Sequence, residues 1–295
     1  MVELKARSFA KINLFLDVLA KRDDGYHEVD TLIQIIDLFD VLKFKEIEGN
    51  KIDFCSDSEL IDPSDNTVIK AITLLKDKTG VNEGISVSLD KVIPIGSGLG
   101  GGSSNAACTL VILNKIWNLK LSYDELIFIG KEIGADVPCF ISGSLSYATG
   151  RGDEIVPLIN REIKHVLVVY PGIFISTRDA YSSLSNILTK RNEYHKIKGS
   201  YIQPGCRYEN FKNIFEETIF LKFPELREIK RFLIAHGAYF GLMSGSGSSI
   251  YGLFDDEDNC VEVKEKIVNK FGCKTYLCKF MKFDQSKLTA VMLDF

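Results

Sequence analysis

The stretch "DKVIPIGSGLGGGSSNAA", residues 90–107, decides how the rest of the chain is read. Five of its seven positions from Gly96 to Gly102 are glycine. Glycine loses more conformational entropy on folding than any other residue, so such a run persists only where side chains would obstruct the backbone's task. The segment before it is strand-like: in "EGISVSLDK", residues 83–91, Ile85, Val87 and Leu89 alternate with other residues. The segment after it, "SSNAACTLVILNKIWNL", residues 103–119, has helical composition, with Ser103 or Ser104 available as N-cap. Glycines between a strand and a helix let the backbone approach an anion closely. The helix start adds unpaired N–H groups and the positive end of its dipole. The run therefore reads as a phosphate-binding loop rather than a flexible surface loop.

Its surroundings remove two common versions of such a loop. Gly96-Ser97-Gly98-Leu99-Gly100-Gly101 matches GxGxxG, yet a dinucleotide fold requires a second strand that ends on an acidic residue about 20 positions on. Here a second helix follows instead. "LSYDELIFIGKEIG", residues 121–134, opens with Ser122 and Glu125 in capping-box spacing and closes on Gly134. A P-loop is excluded as well, because no Lys-Ser/Thr pair follows the last glycine.

Beyond this region, strand and helix signals alternate. In "SFAKINLFLDV", residues 8–18, Ile12, Leu14, Leu16 and Val18 share one face of a period-2 pattern, with Lys11, Asn13, Phe15 and Asp17 on the other. "KRDDGYHE", residues 21–28, carries an Asp-Gly turn signal. "SLSYAT" (144–149) and "HVLVVYPG" (165–172) read as strands, and the polar stretch 182–212 as a loop or boundary. "FPELREIKRFLIAHGA" (223–238) is an amphipathic helix, a second glycine-rich segment leads into a strand near 254, and "NCVEVKEKIVNKFG" (259–272) is a last helix.

Composition narrows the function classes. The chain has 295 residues, 45% of them hydrophobic, enough for one large or two ordinary domains. A net charge of −4 supplies no global basic excess for a nucleic-acid backbone. The N-terminal segment mixes charges too closely with apolar residues for a signal peptide, and no apolar run reaches the roughly 18 residues of a membrane helix. A soluble, cytoplasmic protein with no membrane or nucleic-acid partner is expected. Seven dispersed cysteines without a CxxC pair argue against a disulfide framework or zinc site, and the four histidines show no metal-ligand spacing.

"PIGSGLGGGSSNAA", residues 94–107, resembles the second motif of the GHMP kinase superfamily, in which the loop wraps the ATP phosphates. "SFAKINLFLDV" is similar to the first motif, and "SGSGSSIYGLF", residues 244–254, to the third, which packs a glycine turn beside the phosphate loop. The matches run from residue 7 to about 254. The family usually has Ala or Gly at Ser97, and often Asp at Asn105. The resemblance implies an α+β, two-domain fold: a ribosomal protein S5 domain 2-like N-terminal domain (1–157) and a ferredoxin-like C-terminal domain (158–295), with the active site between them. It also implies ATP as co-substrate with Mg²⁺, and a nucleotide site at Asn66 and along Pro94, Ile95, Gly96, Ser97, Gly98, Leu99, Gly100, Gly101, Gly102, Ser103 and Ser104. Ser103 and Ser104 are equally suited to helix capping, and Asn66 to capping the helix that follows it.

The catalytic pair follows from the same resemblance. Asp136, in "GADVP", matches the family's catalytic aspartate and would accept or orient the acceptor's hydroxyl proton. Lys11 falls beside it in the first motif and would screen charge between phosphate and nucleophile. "DDGYHEV", residues 23–29, resembles the signature of one branch, whose acceptor is a methylerythritol carrying a cytidine diphosphate group. In that branch Tyr26 and His27 match residues that engage the cytosine, Tyr181 a second aromatic, and Thr177 a further contact, with Asn13 on the Lys11 face. The expected reaction is phosphorylation of that acceptor's 2-hydroxyl by a monomer or weak homodimer. The rivals are a GHMP kinase for homoserine, mevalonate or a sugar, and a non-catalytic nucleotide sensor. The resemblance assigns no residue as a metal ligand.

Overall fold

The computed structural model describes residues 3–59, 66–159, 164–184 and 211–294. Cys206 and most of the polar 182–212 stretch lie outside the described residues.

Two long strands organise the N-terminal layer. β1 (Leu4–Lys21) and β2 (His27–Ile47) pair antiparallel along their lengths. The turn between them places Gly25 at φ +83°, and Asp24 Oδ1 accepts from the Tyr26 N–H at 3.1 Å. The other edge of β2 serves two strands end to end: β4 (Gly84–Asp90) pairs along Val41–Ile47, and β5 (Leu145–Thr149) along Thr31–Gln34. β3 (Ile52–Ser56) runs parallel to β4, and β6 (Glu154–Leu158) antiparallel to β5. One face of this sheet is covered by α1 (Thr67–Thr79), α2 (Gly101–Ile116), α3 (Tyr123–Ile133) and α4 (Val137–Ser142). Every α2 residue from Ser104 to Leu113 is buried, so this helix runs through the core and fixes the loop before it. The expected capping box is present on α3, where Ser122 and Glu125 exchange hydrogen bonds.

The second layer is an antiparallel sheet in the order β10-β7-β9-β8, built from β7 (His165–Tyr170), β8 (Phe240–Met243), β9 (Ile250–Phe254) and β10 (Lys274–Lys279). α5 (Thr177–Ser183), α6 (Glu216–Lys222) and α7 (Pro224–Ala235) lie between β7 and β8, and α8 (Glu257–Phe271) between β9 and β10. This is the split βαβ arrangement of a ferredoxin-like unit. α7 and α8 bury Leu226, Ile229, Leu233, Val263 and Ile267 with this sheet, while Val166, Val168, Leu242 and Tyr251 pack with Ile12 and Phe15 of β1. The α+β, two-domain reading of the fold therefore holds. The chain then returns to the first layer: Met281 N–H donates to Ile35 O at 2.9 Å, and α9 (Leu288–Leu293) packs on β1 and α2.

Two local expectations are corrected. β1 does not alternate strictly, because a register shift against β2 between Asn13 and Phe15 breaks the period. Phe15 joins Ile12 in the core between the layers, and Leu16 turns to the cleft beside Lys11 and Asn13. Neither Ser103 nor Ser104 caps α2. The helix starts earlier, at Gly101, after a left-handed Gly100 (φ +71°) that offers no side chain. Ser104 Oγ instead accepts from Ser8 Oγ at 2.7 Å.

Candidate active site

A cleft of 1330 Å³ opens where the two layers meet. Its walls are the glycine loop, the starts of α1, α2 and α5, the cleft face of β1, Asp136, and Gly245 and Ser246 of the second layer.

The loop reaches its shape through glycines at three alternate positions: Gly96, Gly98 and Gly100 have φ of +65°, +79° and +71°. At Gly98 the constraint is also steric, since a Cβ would lie 2.0 Å from Ser244 O. That proximity is where the third motif meets the second. Ser244 Oγ donates to Gly98 O at 2.9 Å, and Ser249 N–H donates to Ser97 O at 3.0 Å. Below the loop, Asp40 is fully buried: its Oδ1 accepts from Val92 N–H and Ile93 N–H at 2.8 Å each, and its Oδ2 meets Lys91 Nζ at 2.8 Å. Burial pushes the Lys91 ammonium below its usual value, against the pull of Asp40. Asn66 lines the cleft and also caps α1, its Oδ1 accepting from Val68 N–H at 2.7 Å. Thr67 Oγ1 donates to Gly102 O at 2.7 Å and ties the α1 start to the α2 start. Two helix N-termini thus face one pocket, a setting that favours an anion.

Lys11 and Asp136 meet at the open end of this loop. Asp136 precedes α4 but its side chain caps nothing, and Oδ2 lies 3.7 Å from Lys11 Nζ. Lys11 is buried and held from behind: Nζ donates to Asn13 Oδ1 at 2.6 Å, Asn13 Nδ2 to Thr31 Oγ1 at 2.8 Å, and Thr31 Oγ1 to Phe15 O at 2.7 Å. The Lys11 side chain is 5% exposed and that of Asp136 41%, so the cation is fixed while the carboxylate faces the cleft.

At the far end, His27 and Tyr181 face each other with ring centroids 4.9 Å apart and a 32° tilt. Tyr181 also takes the edge of Phe215 at 4.9 Å. Burial, and then Asp136, push the Tyr181 hydroxyl up, keeping it a neutral donor; burial and the Lys21 charge push His27 down, favouring neutral imidazole. Tyr26 is 55% exposed, with the Arg151 guanidinium 5.0 Å from its ring centroid. Thr177 Oγ1 lies 3.3 Å from Ser246 Oγ, joining α5 to the third motif.

The cleft therefore gathers all the sequence-assigned site residues except two. Leu99 packs in the core between the layers, with its carbonyl accepting from Lys11 N–H at 3.0 Å, and Ser104 points to β1. Three contributors were missed. Asn105 is 2% exposed, lines the cleft and has an unpartnered Oδ1. Thr31 completes the Lys11 chain. Asn213 donates to Met243 O and Gly245 O at 2.7 Å each and accepts from Phe215 N–H at 3.0 Å, holding the third motif in place. Nothing local in "FKNIF" distinguishes Asn213 from a surface asparagine.

Comparison with known proteins agrees with this geometry. Residues 66–144 match the GHMP kinases N terminal domain and residues 205–273 the GHMP kinases C terminal model. A 4-diphosphocytidyl-2-C-methyl-D-erythritol kinase of Thermoanaerobacter pseudethanolicus is 42% identical over 259 residues, 87% of this chain and 89% of that one. Among solved structures, a 4-(cytidine 5'-diphospho)-2C-methyl-D-erythritol kinase superposes with a TM-score of 0.79 at 27% identity, covering 95% of this chain and all of the other. A homoserine kinase from Cytophaga hutchinsonii reaches 0.73 at 18% identity over 96% and 95% of the two chains, a likeness of fold alone. The chain belongs to the 4-diphosphocytidyl-2-C-methyl-D-erythritol kinase family of the GHMP kinases.

Proposed function

We propose that the protein transfers the γ-phosphoryl group of ATP to the 2-hydroxyl of 4-diphosphocytidyl-2-C-methyl-D-erythritol, a step of the non-mevalonate isoprenoid route. The observation that carries this is the Lys11–Asp136 pair, 3.7 Å apart, in one cleft with the glycine loop and the Tyr26–His27–Tyr181 group. The loop N–H groups hold the ATP phosphates. The cytosine lies among Tyr26, His27 and Tyr181, where the neutral imidazole offers one donor and one acceptor. Asp136 accepts the proton of the acceptor hydroxyl as its oxygen bonds to the γ-phosphorus, and the bond to the bridging oxygen of ADP breaks. The exposed side of the carboxylate then passes that proton to solvent. Lys11, which Asn13 and Thr31 prevent from swinging away, offsets the charge that builds on the transferring group.

Among the described residues, no group of three or more His, Cys, Asp or Glu side chains could hold a metal ion unaided. A Mg²⁺ that arrives on the nucleotide would need few ligands from the protein. The Ser103 hydroxyl and the unpartnered Asn105 Oδ1, both lining the cleft at the start of α2, are the oxygens that would hold it. Bound there, Mg²⁺ supplies neutralisation of phosphate charge. A monomer or weak homodimer is proposed, and no described helix is long and apolar enough to cross a membrane. We propose the domain division at 157/158, before the last residue of β6, and the cytoplasm as the protein's location.

Coupled ADP release over a panel of alcohols tests the assignment. Strict dependence on the cytidylyl acceptor is the expected result. Turnover with homoserine, mevalonate or a sugar in its place contradicts it, as does ATP binding without any turnover.

A further inference from the structure

The turn between β5 and β6 brings to the cleft a cation that the phosphate loop and the Lys11–Asp136 pair leave unused. Arg151 stands between Gly150 and Gly152, both left-handed at φ +66° and +96°. The turn is pinned at two points: Gly152 N–H donates to Thr149 O at 3.0 Å, and Val29 N–H donates to Gly150 O at 2.8 Å. The second of these anchors it to β2 two residues after His27. The side chain is held as firmly. Arg151 Nη2 donates to Asp153 Oδ2 at 2.6 Å, a carboxylate with only 10% of its side chain exposed, and the guanidinium lies 5.0 Å from the Tyr26 ring centroid. Of a guanidinium's five N–H donors, Asp153 takes one, and the rest have no hydrogen-bond partner among the described residues. Lys21 and Arg178 line the same wall but are exposed and form no ion pair among the described residues.

We propose that Arg151 binds the diphosphate of the acceptor and makes this end of the cleft selective for a nucleoside diphosphate over a nucleoside. The proposal rests on the reading of the acceptor as a cytidine diphosphate compound. A base against Tyr26 and His27 carries its 5′ phosphates along the adjoining wall. There, a planar fork already oriented by an aromatic face and a buried carboxylate matches phosphate oxygens two at a time. Stacking on one face of Tyr26 leaves the other face for the base, so the arginine and the cytosine do not compete.

Calorimetric titration of cytidine, CMP and CDP into wild type, Arg151→Gln and Arg151→Lys separates the possibilities. Arg151→Gln is expected to weaken CDP about tenfold while leaving cytidine unchanged, the loss expected for one charge-assisted phosphate contact at a half-exposed site. Arg151→Lys restores part of that loss, because it returns the charge without the fork. The KM for ATP stays at the wild-type value in both variants. An equal weakening of cytidine and CDP marks a merely structural role and overturns the proposal, as does undiminished CDP binding in Arg151→Gln. If wild type binds neither cytidine nor CDP, the acceptor assignment itself falls, and the role of Arg151 with it.

Discussion

Replacing Gly98 with alanine probes how the two layers jointly hold the phosphate loop. Gly98 has φ +79°, where an alanine costs about 1–2 kcal/mol. Its Cβ would also lie 2.0 Å from Ser244 O, where ordinary contact begins at 3.4 Å, so the loops must part by 3.4 − 2.0 = 1.4 Å. That movement breaks the Ser244 Oγ bond to Gly98 O and the Ser249 N–H bond to Ser97 O, each worth about 1 kcal/mol. Reduced entropy of the unfolded chain returns about 0.5 kcal/mol, leaving a net loss of about 3 kcal/mol. For a chain this long the loss corresponds to a fall in Tm of roughly 6 °C. Gly172 supplies the control, having the same φ of +79° with no atom within 4 Å of its would-be Cβ. Gly172→Ala should therefore show the conformational term alone, about 1 kcal/mol. Calorimetry gives both Tm values, and steady-state kinetics should add a raised KM for ATP only in Gly98→Ala. Equal Tm losses in the two variants, with ATP binding intact, would refute the claim that contact with Ser244 shapes the loop.

Three further outcomes are expected. Lys11→Ala should lower kcat by at least about a hundredfold while the far-ultraviolet spectrum stays native, because the charge opposite the transferring phosphoryl group is lost. Asn213→Ala leaves Met243 O, Gly245 O and Phe215 N–H without their buried partner. It should cost about 3 kcal/mol, seen as a lower denaturant midpoint. Because His27 titrates below its usual value of about 6.5, the acceptor KM should be level above that pH and rise beneath it as the ring gains a proton, while the ATP KM does not follow. The sign for stability agrees: the unfolded chain binds the proton more readily, so the His27 contribution is lost as pH falls below about 6.5.

The sequence was most informative where local chemistry acts alone. The glycine loop, the Ser122–Glu125 capping box and the Asp-Gly turn before Tyr26 each depend on neighbours in the chain, and each stands where the pattern put it. β2, the longest strand, is hidden because all eight positions from Val29 to Ile36 are buried although Asp30, Thr31 and Gln34 among them are polar, so neither an alternation nor an apolar run marks it. The bulge after Asn13 was equally hidden. It is a matter of register against β2, and it decides that Leu16 rather than Phe15 faces the cleft. At the site, Lys11, Asn13 and Asp136 are legible through motifs, whereas Asn213 takes its place from a tertiary contact with Gly245, and Arg151 is set against Tyr26 by a contact its local turn does not announce.

Single-turnover phosphoryl transfer by Asp136→Asn, measured with saturating ATP and cytidylyl acceptor, tests the chemistry most directly. The substitution keeps the shape of the side chain and removes its ability to take a proton. Transfer to the 2-hydroxyl should slow by about 10²–10⁴-fold, the range for a positioned general base, with both substrates still binding. A folded Asp136→Asn enzyme that transfers phosphate at a rate close to that of wild type would contradict the account.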